Sequence, residues 1–228
     1  MTTERETTRF PWGLTVLVVL ALALLVSLGI WQVNRLQWKE GLIARAEAAA
    51  GLPPVDLATL ATLPDPEFRT TYLPCDFQNQ PFIELQTIHD GEPGVRLIAA
   101  CRGWLVDLGF VAGTVSARPA REPAAIPGVT AQVRRTDPPP AMTPPPQDGR
   151  FYGRDMPAMA RALGITGPVR PYTLYAQGSV WPRWEAIRPG SPPVAFANNH
   201  LGYALTWFGL AIALAGFYIA LMMRRRKS

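Results

Sequence analysis

Asn198-Asn199-His200-Leu201-Gly202-Tyr203-Ala204-Leu205-Thr206-Trp207-Phe208-Gly209-Leu210-Ala211 opens an apolar stretch that runs on to Met223. No charged residue occurs between Leu201 and Met223. As a helix this stretch rises about 34 Å, enough to cross the hydrocarbon core of a bilayer. Arg224-Arg225-Arg226-Lys227 follows at once. We therefore read a membrane span over 200–223 and a basic cytoplasmic tail over 224–228. His200 stands at the entrance to the helix, with Tyr203 three residues on and Trp207 seven on. At 100° per residue, seven residues return a side chain to within about 20° of the same face. The spacing thus predicts one stripe carrying an imidazole, a phenol and an indole, facing either lipid or a ligand.

A second uncharged run lies near the other end of the chain, from Trp12 to Trp31. It is also long enough to span. Gly29-Ile30-Trp31-Gln32 makes a poor signal-peptidase site, so we read an uncleaved anchor over 11–31, behind a cytoplasmic arm at 1–10. Helix-forming composition continues to Ala50, where Gly51 and Pro53-Pro54 close the helix. Trp31, Arg35, Trp38 and Leu42 fall on one face of it. They read either as an interfacial aromatic belt with a snorkelling arginine, or as a cation poised for an anionic ligand group at membrane depth.

Between the spans, residues 51–199 leave room for one domain with its own core. The chain carries a formal net charge of +5, but four of those charges are the tail. The surplus therefore signals topology, and no nucleic-acid-binding patch emerges. Arg35, Lys39 and Arg45 follow the first span, outnumber Arg5 and Arg9 before it, and argue for the reverse orientation. The denser tail outweighs them. Both termini are then expected in the cytoplasm, with the central domain in the periplasm. A low lysine content beside many Ala, Arg and Pro residues suggests a bacterial source, and the membrane is then the inner membrane.

The central domain changes period. Phe68–Phe77, Pro81–Ile88, Val95–Val106, Val129–Arg135 and Pro171–Gln177 read as strands, broken by turn residues at 79–81 and 89–94. Asp155 caps a short helix that Gly164 stops. The proline-rich run 138–146 reads as a stiff exposed connection. The expected fold class is membrane α+β: two transmembrane helices bracketing a mainly antiparallel β domain with one short helix. Cys75 and Cys101 could form a disulfide in an oxidising compartment. The plainer reading makes them small residues in two strands.

Enzymatic chemistry finds few residues to carry it. The chain has two histidines, His89 in a turn and His200, and five scattered serines with no Gly-x-Ser-x-Gly elbow. It has no Cys-x-x-Cys, no His-x-x-x-His and no glycine-rich phosphate loop. We expect no enzyme.

Four stretches resemble, in order, the motifs of the surfeit locus protein family. They are Leu28-Gly29-x-Trp31-Gln32-x-x-Arg35-x-x-Trp38-Lys39; Arg102-Gly103-Trp104 with Arg118 beyond it; Phe151-Tyr152-Gly153-Arg154-Asp155-Met156-Pro157; and Asn199-His200-Leu201-x-Tyr203-Ala204-Leu205-Thr206-Trp207-Phe208. Cys101 stands where the family usually has Asn before Arg-Gly-Trp. The resemblance implies an assembly factor of cytochrome c oxidase that binds haem a transiently and non-covalently and delivers it to oxidase subunit I. Haem a synthase is a further candidate partner, and membrane lipid is expected around the spans. His200 is then expected as axial ligand of the haem iron, Trp207 and Tyr203 as its neighbours, and the Trp31 end of span one as the facing surface. Arg35 and Lys39 are the expected partners of the haem propionates, with Arg183 and Arg188 as rivals. The alternative is a membrane-anchored scaffold that grips a subunit I intermediate without holding haem.

Overall fold

The structure, a computed structural model, describes residues 10–120, 129–191 and 199–227. In chain order the elements are α1 (Trp12–Ala50), α2 (Leu57–Thr62), β1 (Thr70–Tyr72), β2 (Phe82–His89), β3 (Glu92–Cys101), β4 (Trp104–Ala112), β5 (Thr130–Arg135), β6 (Arg150–Phe151), α3 (Met156–Ala162), β7 (Tyr172–Ala176), β8 (Ile187–Arg188) and α4 (His200–Lys227). They form two compact units. One contains the chain up to Ala44 and from Val194 on; the other runs from Arg45 to Pro193.

The first unit is a helix pair. Both helices are long and apolar enough to cross a membrane. Between them they bury Val18, Gln32, Ala204 and Ala211. The two alanines keep the α4 backbone slim on its inner face, so that the helices can approach closely. Gly29 does the same for α1, where the Phe208 ring lies against its backbone. Thr15 Oγ1 donates to the Pro11 carbonyl at 3.1 Å. That proton is thereby used, so the 2.6 Å contact between Thr15 and Tyr218 is a hydrogen bond donated by the Tyr218 hydroxyl. The outward faces carry Leu17, Leu20, Leu24, Leu205, Ile212 and Phe217, all exposed.

The second unit is built on one mixed, mainly antiparallel sheet in the order β1-β5-β7-β4-β3-β2-β6, with β8 beside the far half of β4. Among the described residues two strand pairings are parallel, β4 with β7 and β2 with β6. The sheet is covered on both faces where β4 crosses it, which is why eight of the nine β4 residues are buried. On one face Trp104, Val106 and Leu108 join Leu97, Val133, Leu174 and Trp181. On the other, Leu105 and Ile98 meet Met156 and Met159 of α3. A bulge resets the alternation: Leu97 faces Gly109 while Ile98 faces Asp107, leaving Leu108 as the extra residue. Val111 thereby returns to the same core as Leu108. Gly109, at φ 141°, leaves room for the Arg188 carbonyl, which a β-carbon there would approach to 2.8 Å.

The expected strands need three corrections. Val95–Val106 is not one strand. It is the end of β3, a turn at Arg102-Gly103 and the start of β4, and both turn residues have positive φ, 48° and 82°. That is the backbone of the tight hairpin turn whose twist matches the strands. Arg102 therefore sits at a hairpin tip and not inside a strand. Phe68–Phe77 shrinks to Thr70–Tyr72, since Phe68 adopts φ 66° and leaves the extended region. Cys75 and Cys101 are joined in a disulfide, and Cys75 lies outside any strand. The domain also has a second short helix, α2, capped by the Asp56 carboxylate on the Thr59 N–H at 2.8 Å. The predicted Asp155 cap is present, accepting from the Ala158 N–H at 3.0 Å, and Gly164 follows α3 with φ 71°. The Asp90-Gly91 turn joins β2 to β3 as read.

Candidate functional site

The site builds outward from His200, the first residue of α4. Asn199 precedes it and accepts the Tyr203 N–H through its backbone carbonyl at 3.2 Å. Asn198 lies outside the described residues. The imidazole turns towards α1, and its Nδ1 lies 2.6 Å from Oε1 of Gln32. Gln32 is itself buried, 8% exposed. The Trp31 indole stands edge-on to the imidazole, centroids 6.5 Å apart and planes at 84°. Two consecutive residues of α1 thus frame one histidine of α4, with 168 positions of sequence between Gln32 and His200.

The structure divides the predicted stripe. His200 is partly buried and engaged with α1, and Trp207 is partly buried. Tyr203 is 55% exposed and points away from the pair. Geometry explains the split. Residues 200, 204, 208 and 211 follow the i, i+4 and i+3 steps of the inner face. Residue 203 falls outside that row, and residue 207 sits at its margin. Arg35 and Lys39 follow Gln32 along α1, about 4.5 and 10.5 Å further by helical rise. The Arg35 guanidinium is stacked on the Trp38 ring, 3.9 Å from its centroid. The two rivals belong to the other unit: Arg188 is paired with Glu92 and stacked on Phe110, and Arg183 is exposed.

Gln32 is the residue that sequence reasoning passed over. It stands inside the quoted Trp31-Gln32 pair, and a polar amide directly after an apolar run is a signal in itself: where it is buried it needs a partner.

The second unit holds another buried polar cluster. Asp107, fully buried, accepts from Nε of Arg96 and from a terminal nitrogen of Arg154, each at 2.6 Å, through the same oxygen. Its other oxygen receives the Gly109 N–H at 3.2 Å. Both guanidiniums lie over the Tyr175 ring, at 5.6 and 5.1 Å. Burial pulls the Arg154 guanidinium down, and the Asp107 carboxylate more than offsets that, leaving it above its ordinary value. Burial also pushes the Tyr175 phenol up, against the opposing pull of Arg154. A carboxylate shared by two guanidiniums and a backbone amide is fully satisfied, so this cluster fastens β3, β4 and α3's leading loop together. Arg154 and Arg170 also line an open cleft of about 430 Å³ walled by Pro138, Pro139 and Pro171. The Arg170 guanidinium lies 4.7 Å over the buried Trp104 ring, which ties the Arg-Gly-Trp hairpin to this cleft.

The sequence model of the SURF1 family matches residues 19–212, which takes in the Gln32–His200 pair and the whole sheet. The chain belongs to the SURF1 family. A SURF1-like protein of Rickettsia felis is 25% identical over 219 residues, spanning 89% of this chain and 93% of its own. Surfeit locus protein 1 of Mus musculus is 26% identical over 231 residues, 87% of this chain and 72% of the mouse protein. Its Homo sapiens counterpart is 25% identical, over 87% of this chain and 74% of the human one. The SURF1 match begins within α1 and ends within α4, so membership concerns the helix pair and the sheet alike.

Proposed function

We propose that this protein is a two-pass inner-membrane assembly factor of cytochrome c oxidase. It binds haem a at the His200 end of the helix pair and passes it to oxidase subunit I. It is not itself an enzyme. The observation that carries the reading is the His200–Gln32 contact inside a SURF1-family helix pair. A neutral imidazole whose Nδ1 is held by an amide keeps Nε2 as a nitrogen donor for iron, so the residues fit single axial ligation.

Each nearby residue has a distinct task in this reading. His200 supplies the iron ligand. Trp207 offers an apolar plate, and Trp31 limits how the imidazole can turn. Arg35, with Lys39 beyond it, provides cations for propionates near the periplasmic surface. Tyr203, turned outwards, is left to contact lipid or a partner protein. The delivered haem brings iron that accepts a nitrogen ligand; the protein's part is to hold and orient it.

Two observations support the membrane setting. Leucines and aromatics stand exposed along both helices, and lipid is the solvent that suits them. The Cys75–Cys101 disulfide suits an oxidising compartment, which favours the sheet domain in the periplasm.

The decisive experiment purifies the protein from cells with and without co-expressed haem a synthesis and records visible spectra. A haem a spectrum at near-stoichiometric amounts only in the first preparation is expected. Colourless protein from both, still bound to subunit I, would replace this reading with the haem-free scaffold.

A further inference from the structure

We infer that Gln32 is the positioning residue that sets the tautomer of His200. This rests on the reading of His200 as an axial ligand, but its first consequence is visible without any haem. The contact joins Nδ1 to the oxygen of the carboxamide at 2.6 Å. That oxygen can only accept, so the shared proton resides on Nδ1. A neutral imidazole has one N–H, and Nε2 is therefore the bare, ligating nitrogen. Free in water the ring would favour the opposite tautomer, with Nε2 protonated and closed to iron. The helix pair thus selects the minor form.

Three features make this more than a chance contact. Gln32 is buried, so water is a poor substitute partner for its oxygen. Trp31 meets the ring edge-on, which restricts rotation about the bond to Cβ. Acceptor and donor sit on different helices, so the tautomer is coupled to helix pairing. Parting α1 from α4 at this level removes the acceptor and lets the proton move to Nε2, which would discharge an iron ligand. The partner's charge also fits a carrier. A carboxylate in this place would draw the Nδ1 proton more strongly and make Nε2 a tighter ligand; the neutral amide leaves it easier to displace.

The test uses the full-length protein in detergent, labelled with ¹⁵N-histidine, near pH 8.5 where a free imidazole is neutral. His89 and His200 give two spin systems, and His200→Ala assigns them. In the wild type His200 is expected as the Nδ1–H tautomer. Gln32→Met, similar in volume but without an acceptor, should return it to a mixture dominated by Nε2–H, while far-ultraviolet circular dichroism shows the chain still folded. Gln32→Glu should restore a protonated Nδ1. The haem arm then reads retention: Gln32→Met should lose haem a about tenfold more readily than the wild type. An Nε2–H His200 in the wild type, or a tautomer unchanged in Gln32→Met, overturns the inference. Wild-type protein with the expected tautomer that takes up no haem sinks the haem reading instead, and leaves the tautomer assignment standing.

Discussion

Phe208 lays its ring on the backbone of Gly29, so closely that a β-carbon at position 29 would lie 2.6 Å from the ring. The glycine is needed for space here, since its backbone is ordinary helix. Gly29→Val should therefore wedge α4 away from α1. Ala204, 2% exposed, reports the result. Both native cysteines are in the disulfide, so the Ala204→Cys thiol is the sole free one. It should resist a membrane-permeant maleimide when Gly29 is kept and react severalfold faster when Gly29→Val is added. Equal rates would mean that the helices tolerate the added methyls.

His200→Ala should abolish or displace the Soret band of haem-loaded protein while the chain stays folded and membrane-bound. Trp207→Leu should perturb the spectrum less, because it removes a contact and leaves the nitrogen donor. Burying a prenyl tail contributes about 0.8 kcal/mol per CH₂ whatever the axial ligand, so partition into the membrane should survive both changes. Unaltered spectrum and affinity in His200→Ala would remove His200 from the site.

Asp107 balances two guanidiniums in the interior of the sheet domain. Asp107→Asn leaves both without their carboxylate, a change that costs about 3–5 kcal/mol at buried pairs. Thermal unfolding followed by near-ultraviolet circular dichroism should show a strongly lowered midpoint. Replacing Arg154 alone should be milder, since Asp107 then keeps Arg96. Equal destabilisation would show that Arg154 contributes more than charge.

The raised phenol of Tyr175 makes it a contributor to the loss of stability at alkaline pH. The unfolded chain's tyrosine ionises near pH 10. The folded one does so higher, so its contribution is complete below about pH 10 and fades as pH climbs towards the folded value. Tyr175→Phe keeps the ring beneath the two guanidiniums and removes the ionisation. Its stability should fall less steeply than the wild type's above about pH 10. Parallel curves would assign the alkaline loss to other groups.

The proposed topology rests on the Arg224–Lys227 run. Alkaline phosphatase fused in the 110–130 region should be active, and fused after Ser228 inactive. The opposite pattern would place the sheet domain in the cytoplasm, where its disulfide would be hard to keep.

What could be read from the chain, and what could not, follows the range of each signal. Length without charge is local, so both long helices were legible, down to the closing Gly51. Turn chemistry is local too, and Asp90-Gly91 announced its hairpin. Arg102-Gly103 did not, because Cys101 and Trp104 on either side are as apolar as the strands they end. The disulfide and Asp107 depend on strand register: a carboxylate inside Trp104–Ala112 has no visible partner until the sheet brings up Arg96 and α3's loop brings up Arg154. Gln32 was hidden for the same reason at greater range. The helical wheel of α4 placed His200, Tyr203 and Trp207 on one stripe, but the partner on α1 decided which of them faces inwards.

The helix pair is pinned by polar contacts near both ends, Tyr218 with Thr15 and His200 with Gln32. Along α1 the two pins are 17 residues apart and along α4 they are 18, about 26 and 27 Å of axial rise. Two rungs so matched forbid a piston. Sliding either rod by a single residue would strand a hydroxyl at one end and an amide at the other. Swinging the rods apart about the Thr15–Tyr218 rung breaks just one. The far rung then serves as the hinge, and parting at the His200 end is the motion that gives up the fewest polar contacts.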